Sequence, residues 1–174
     1  MRKGLPMSPT AIAPSTQTLR EAFGHFPCGV AALSAEVGGN KEVLVASSFT
    51  VGVSMEPPLV MFAVQNSSTT WPTLRLAENI GISILSGEHA GICRQLAGKD
   101  KAVRFAGISS ETTPEGAVLI SDSSVHLECK VHAEYPAGDH TVVLFEVISL
   151  RTEKAIEPLV FHGSRFRRML SDAA

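Results

Sequence analysis

Two long alternating runs constrain this chain more than any other feature. Val125 to Tyr135 and Thr141 to Leu150 are separated only by Pro136-Ala137-Gly138-Asp139-His140. A period of two is the signature of a strand with one buried face. Other segments have strand character too. Gly29 to Ala35 is short and apolar. Glu42 to Phe49 follows a Gly38-Gly39-Asn40 turn, and Leu59 to Val64 is the most apolar run, expected to be buried. Asn79 to Leu85 carries Ile80, Ile82 and Ile84 on one face, and Leu159-Val160-Phe161 precedes a turn at Gly163.

Helical signals are few. Leu19, Ala22, Phe23 and Phe26 recur at helix spacing behind a Thr18/Glu21 capping box, and Pro27 stops the pattern. A second helix is expected from the hydroxyl run before Trp71-Pro72 to about Ala77. A third runs from Ser86 through Leu96 and ends at Gly98. Residues 99–124 read as loop, with a turn at Pro114-Glu115-Gly116. Six or seven strands that do not alternate with helices exclude a doubly wound parallel sheet. The expected fold is mainly β: an antiparallel barrel with a few short peripheral α-helices. Residues 16–174 form one domain, with no internal repeat.

Composition narrows the function. The chain has 174 residues, 44% hydrophobic and 18% charged, with a net charge of −2. That is enough apolar material for one core, and no basic stripe for nucleic acid or an anionic membrane. No apolar run reaches the length of a membrane span. Residues 1–15, rich in Pro, Ser, Thr and Ala, are expected to be a disordered tail. Pro6, Ser8, Pro9 and Pro14 interrupt any signal-peptide core behind Arg2 and Lys3. Cys28, Cys93 and Cys129 are odd in number and scattered, which suits reduced thiols in the cytoplasm.

The chain has no Rossmann GxGxxG, no P-loop, no HExxH and no GxSxG. His126, Glu128 and His132 share one face of a strand, but Cys129 points away and the spacing matches no usual zinc pattern. They read as a solvated strand face, and no metal is expected. Two hydroxyl clusters flank the most apolar strand: Ser47-Ser48 with Thr50 before it, and Ser67-Ser68-Thr69-Thr70 after it. Either alone is an ordinary turn or helix cap. Together, with the second at a helix start, they suit a phosphate held by neutral donors and backbone N–H groups. Asn66 to Pro72 contains no Arg or Lys, so only distant help is expected from Lys99, Lys101 or Arg104.

Taken in order, these segments resemble the flavin reductase family, the short reductase components of two-component flavin-dependent monooxygenases, built on an FMN-binding split barrel. The resemblance covers about Leu19 to Leu170. It is carried by Leu19-Arg20, Gly29-Val30, Ser48-Phe49-Thr50 before Pro57-Pro58-Leu59-Val60, Ser68-Thr69-Thr70 and Arg104-Phe105-Ala106-Gly107. Leu127-Glu128-Cys129, Gly138-Asp139-His140-Thr141, Pro158-Leu159 and Arg165 to Arg168 complete it. Three departures stand out. Val45-Ala46-Ser47-Ser48 replaces a common Thr-Ala-Asn-Ser, Val51-Gly52-Val53 is one residue longer than the commoner Ser-Val, as in a bulge, and Cys28 stands where Thr is common.

The resemblance implies a site. Ala46, Ser47, Ser48, Phe49 and Thr50 line the flavin ring and ribityl chain, and Ser67, Ser68, Thr69 and Thr70 take the phosphate. Cys28, Gly29 and Val30 wall the ring, while Ala63, Val64 and Gln65 run beneath it. Phe105 belongs to the cofactor-binding set, and Phe166 and Arg167 complete the pocket. His140 faces the nicotinamide. It also implies a homodimer, a partner oxygenase, FMN or FAD as flavin, and NADH or NADPH as hydride donor. Two other readings stand beside it: a split-barrel flavoprotein with tightly bound FMN acting on another small molecule, and a barrel that binds flavin or haem without turnover.

Overall fold

The structure, a computed structural model, describes residues 15–169. The expected tail therefore lies outside the described residues, except for Ser15. Ser15 caps α1 (Thr16–Gly24): its Oγ accepts from the Thr18 amide, and Thr18 Oγ1 accepts from the Ser15 amide. The helix thus begins earlier than the Thr18/Glu21 pattern suggested, because Ser15 and Thr18 form the reciprocal cap instead.

After α1 come β1 (Cys28–Gly29), β2 (Ala31–Val37), β3 (Asn40–Ala46), β4 (Thr50–Met55), β5 (Pro58–Gln65), α2 (Trp71–Leu74) and β6 (Ile80–Ile84). Then follow α3 (Cys93–Leu96), β7 (Ser110–Thr112), β8 (Val118–Ile120), β9 (Val125–Ala137), β10 (His140–Thr152), β11 (Val160–His162) and β12 (Arg165–Arg167). Short 3-10 turns occupy Gly87–Ala90 and Lys101–Val103.

The two long runs are β9 and β10. Their connection is tighter than expected: Ala137 pairs with His140, leaving Gly138-Asp139 as a two-residue turn, with Gly138 at φ +66°. His140 is consequently the first residue of a strand rather than a loop residue.

Seven strands form one sheet in the order β3-β2-β6-β9-β10-β5-β4, every neighbouring pair antiparallel. Three strands separate β2 from β5 in that order. Yet Leu33 of β2 and Phe62 of β5 belong to one buried cluster, with Leu44 and Ala46 of β3 packed against it. Side chains so far apart in the sheet meet only if the sheet rolls up. The roll brings β3 near β5 without pairing them, and this seam is the split of an antiparallel β-barrel. α2 adds Trp71 and Leu74 to the interior, with the Trp71 ring 5.4 Å from Phe62 and 6.1 Å from Phe145.

A second cluster on the outer face, with Val30, Ala32, Val43, Leu85, Leu96 and Leu159, buries β2 and β6 on both sides. β6 is therefore buried almost throughout, not half-buried as its isoleucine alternation suggested. The β7–β8 hairpin, in a stretch expected to be loop, packs on it so tightly that a Cβ at Gly81 would lie 2.1 Å from the Val118 carbonyl oxygen. Conversely, β5 alternates strictly between buried and partly exposed residues. Its apolar outer face, with Met61 and Ala63, is half-buried, so it is not the fully buried strand expected. The extra residue at Val51-Gly52-Val53 is a bulge: pairing shifts between Thr50 and Ser54, and Gly52 adopts φ +69°.

Candidate active site

The split opens into a cleft of about 530 Å³. One wall is the end of β3 and the following turn, Leu44 to Ser48. The other is Phe62 to Gln65 of β5, the loop Ser67 to Thr70, and His140 at the start of β10. Ser48 Oγ ties the walls together by donating to the Ala63 carbonyl, 3.0 Å away. The two hydroxyl clusters thus converge because β3 and β5 approach one another unpaired.

The loop ends in only a single helical turn. α2 stops at Leu74, not Ala77. Ser68 Oγ accepts from the Trp71 amide at 3.1 Å and the Thr70 amide at 3.4 Å, so Ser68 caps the turn. Among the described residues, the amides and hydroxyls of Ser67 and Thr69 have no hydrogen-bond partner. They remain free for an acceptor-rich ligand. A four-residue helix contributes little dipole, so the cluster's donors carry the anion-binding character.

Positive charge is closer than the sequence suggested. Arg104 is buried, its Nη1 donating to Thr70 Oγ1 and to the Val43 carbonyl, each at 3.0 Å, and its Nε to the Gly98 carbonyl at 2.7 Å. Thr70 Oγ1 accepts from the guanidinium, which leaves its own proton to point elsewhere. Lys101 Nζ donates to the Thr69 carbonyl at 3.2 Å and pairs with Glu42 at 3.2 Å. These cations come from a distant loop that folds onto the back of the hydroxyl cluster, which explains why the local sequence shows none.

Beside the start of the Ser67–Thr70 loop, His140 pairs with Gln65 on the neighbouring strand, and its Nδ1 lies 2.7 Å from Asp139 Oδ1. The hydrogen bond from His140, then its charge, holds the exposed Asp139 carboxyl below the usual carboxylate range. A carboxylate accepting from Nδ1–H leaves Nε2 as the ring's second functional atom.

The remaining site residues named from the resemblance fall elsewhere. Cys28 lines an adjoining apolar groove with Phe23, Phe26 and Phe161, joined to the cleft through Ser47 and Ser48. Val30 is buried in the outer cluster, and Gly29 pairs with Val160. Phe49 packs against the inner core, and Thr50 opens β4. Phe166 packs on Phe161 with ring centres 5.5 Å apart, beside an exposed Arg167. Phe105 borders a separate groove with Lys41 and Lys101. Leu44 and Phe62 line the cleft without having been singled out. They are ordinary apolar strand residues, and only the roll of the sheet identifies them.

His126, Glu128 and His132 do not form the solvated face expected. His126 is buried, its Nε2 2.7 Å from the Ile120 carbonyl, because the 120–124 segment covers it. Burial pushes the Glu128 carboxyl up, but hydrogen bonds from Asn79, Thr113 and Ser149 outweigh it and hold the carboxyl below its usual range. Among the described residues, no group of three or more His, Cys, Asp or Glu could hold a metal ion. All three cysteines are free, and burial raises the thiols of Cys93 and Cys129 to about 11 and about 12.

Fold and site define a class first: a split antiparallel β-barrel with a hydroxyl-lined cleft along its seam. Comparison with known proteins then supplies the family. The family model described as "Flavin reductase like domain" matches residues 23–170. The chain belongs to the flavin reductase-like family and is an oxidoreductase. It is 36% identical over 156 residues to the actinorhodin polyketide dimerase of Streptomyces coelicolor, covering 89% of this chain and 87% of the relative. It is 30% identical over 155 residues to the reductase component of 4-hydroxyphenylacetate 3-monooxygenase of Thermus thermophilus, covering 88% and 97%. The solved structure of the Streptomyces globisporus NADH:FAD oxidoreductase SgcE6, in complex with NAD and FAD fragments, superposes with a TM-score of 0.87 at 33% identity. That match covers 95% of this chain and 100% of the solved one.

Proposed function

We propose that this enzyme takes a hydride from NADH or NADPH to FMN or FAD in the seam cleft, and releases reduced flavin to a separate oxygenase in the cytoplasm. The observation that carries the reading is the cleft's lining: free hydroxyls and amides backed by two cations in the Ser67–Thr70 loop, with a single histidine on the adjoining strand. The cleft volume lies within the usual range for small-molecule sites, and the free donors of Ser67 and Thr69 suit a phosphate. Flavin and nicotinamide supply the redox chemistry when bound. The protein's part is orientation. Ser67 to Thr70 hold the phosphate. Ala46, Ser47, Ser48, Ala63, Val64 and Gln65 flank the ring. His140, steadied by Asp139, positions the nicotinamide.

Exposed apolar side chains at Phe23, Phe26, Val51, Val53 and Met55 support a homodimer. No helix among the described residues is long and apolar enough to cross a membrane, which fits the cytoplasmic setting. Oxidation of NADH and of NADPH in the presence of FMN, FAD and riboflavin tests the reading: turnover must require added flavin.

A second reading is kept alive by the polyketide dimerase relative: a flavoprotein that retains its cofactor and acts on another small molecule. Flavin that stays with the protein through dialysis at stoichiometric level supports that reading, and flavin that exchanges supports the reductase.

A further inference from the structure

Asn66 stands between the hydroxyl loop and the histidine. It follows Gln65, the last residue of β5, and precedes Ser67, where the loop begins. Gln65 pairs with His140, and there the β5–β10 ladder ends. Asn66 carries the connection one step further. Its amide donates to the Asp139 carbonyl at 3.0 Å and its Nδ2 to the Gly138 carbonyl at 3.3 Å. Its Oδ1 accepts from Thr141 Oγ1 at 2.9 Å. One residue is thus bonded to the chain on both sides of His140.

The chemistry fixes the orientation of the side-chain amide. A carbonyl only accepts, so the atom facing Gly138 is the nitrogen, and the oxygen is left for the Thr141 hydroxyl proton. The backbone bond outlasts any substitution except proline, whereas the other two belong to the asparagine. Asn66 is exposed, so its side chain acts through these bonds rather than through packing. What they hold is the two-residue turn Gly138-Asp139, with Gly138 at φ +66°. A tight turn at the end of a ladder is where strands fray. The Asp139 side chain is almost fully exposed, so the turn, and not a packed environment, sets where its carboxylate meets His140.

We infer that Asn66 is a positioning residue: its side chain locks the Gly138-Asp139 turn to the start of the hydroxyl loop, and so holds His140 in register with the bound flavin. The inference rests on the flavin reductase reading, in which His140 positions the nicotinamide, and adds the residue that aims it. Asn66 does not itself line the cleft; it acts through His140.

The test is single-turnover reduction of bound FMN over a range of NADH and of NADPH concentrations, with flavin affinity measured separately by fluorescence. Wild type is compared with Asn66→Ala, Thr141→Val and His140→Ala, and with each of the first two combined with His140→Ala. Asn66→Ala should lower the reduction rate at limiting nicotinamide about tenfold, the scale of two neutral hydrogen bonds, and Thr141→Val about threefold, the scale of one. Flavin affinity should stay within about twofold in both. In the His140→Ala background either change should add less than about twofold, because residues that act through one another are not additive. A role confined to stability would lower the melting temperature and leave the nicotinamide dependence of the folded protein as in wild type, which overturns the inference. Fully additive losses in the double variants also overturn it, while His140 keeps its place. A His140→Ala protein that reduces flavin as wild type does fails the reading and the inference together. Should Asn66→Ala not fold, Thr141→Val, which keeps the branched shape and removes only the hydroxyl, decides alone and in its double variant.

Discussion

Thr69 and Thr70 are adjacent hydroxyls, but the structure gives them different duties, and removing each separates binding from stability. Thr69 is exposed and its hydroxyl has no partner among the described residues, whereas Thr70 is 2% exposed and accepts from the buried Arg104. Thr69→Ala should therefore leave stability unchanged and weaken FMN by about 1 kcal/mol, roughly fivefold, the worth of a hydrogen bond to the phosphate. Thr70→Ala removes one of three acceptors from a buried guanidinium. It should cost about 1.5 kcal/mol of stability, a fall of ~3–6 °C in Tm for a chain of this size, as well as weakening FMN. Riboflavin, which lacks the phosphate, should hardly respond to Thr69→Ala. Fluorescence titration with both flavins and a thermal melt read all these quantities. Equal losses for FMN and riboflavin in Thr69→Ala would refute the phosphate seat, and an unchanged melting temperature in Thr70→Ala would refute the structural duty of Arg104.

Other expectations follow from particular contacts. His140→Ala should slow reduction of bound flavin or raise the KM for NADH while leaving flavin affinity nearly unchanged, and Asp139→Asn should produce a smaller change of the same kind; single-turnover absorbance measures both. Burial lowers the pKa of His89 below 6.5, and its Nδ1 accepts from the Ser86 amide at 3.1 Å, which requires the neutral ring. The unfolded chain then binds more protons than the folded one, so stability should fall as pH drops below about 6.5. Denaturant unfolding of His89→Gln should show a shallower slope in that window. Gly81→Ala should destabilise by about 3 kcal/mol or prevent folding, because its methyl would meet the Val118 carbonyl. A Gly81→Ala protein that melts like wild type would contradict the packing of β7–β8 on β6.

Much of the fold was legible because its signals are local. Alternation marked β9 and β10, the Gly38-Gly39 pair marked the β2–β3 hairpin, and the surplus residue marked the bulge at Gly52. Burial on both faces of β6 was not legible, since its second cover comes from residues around 118–120, whose strands are only three residues long. The candidate site shows the same division. Its hydroxyl clusters are visible in the chain because each is a run. Arg104 and Lys101, by contrast, reach Thr69 and Thr70 across more than thirty residues of sequence. Leu44 and Phe62 become lining residues only when the sheet closes enough to leave a seam.

The central claim is that the seam cleft brings a nicotinamide and a flavin together for hydride transfer. Anaerobic mixing of the flavin-loaded protein with one equivalent of NADH, or of NADPH, tests it most directly. The account predicts that nicotinamide absorbance and flavin absorbance fall together, one reduced nicotinamide consumed per flavin bleached, with the rate lowered in His140→Ala. Flavin that binds in the cleft yet stays oxidised with either nicotinamide would contradict it.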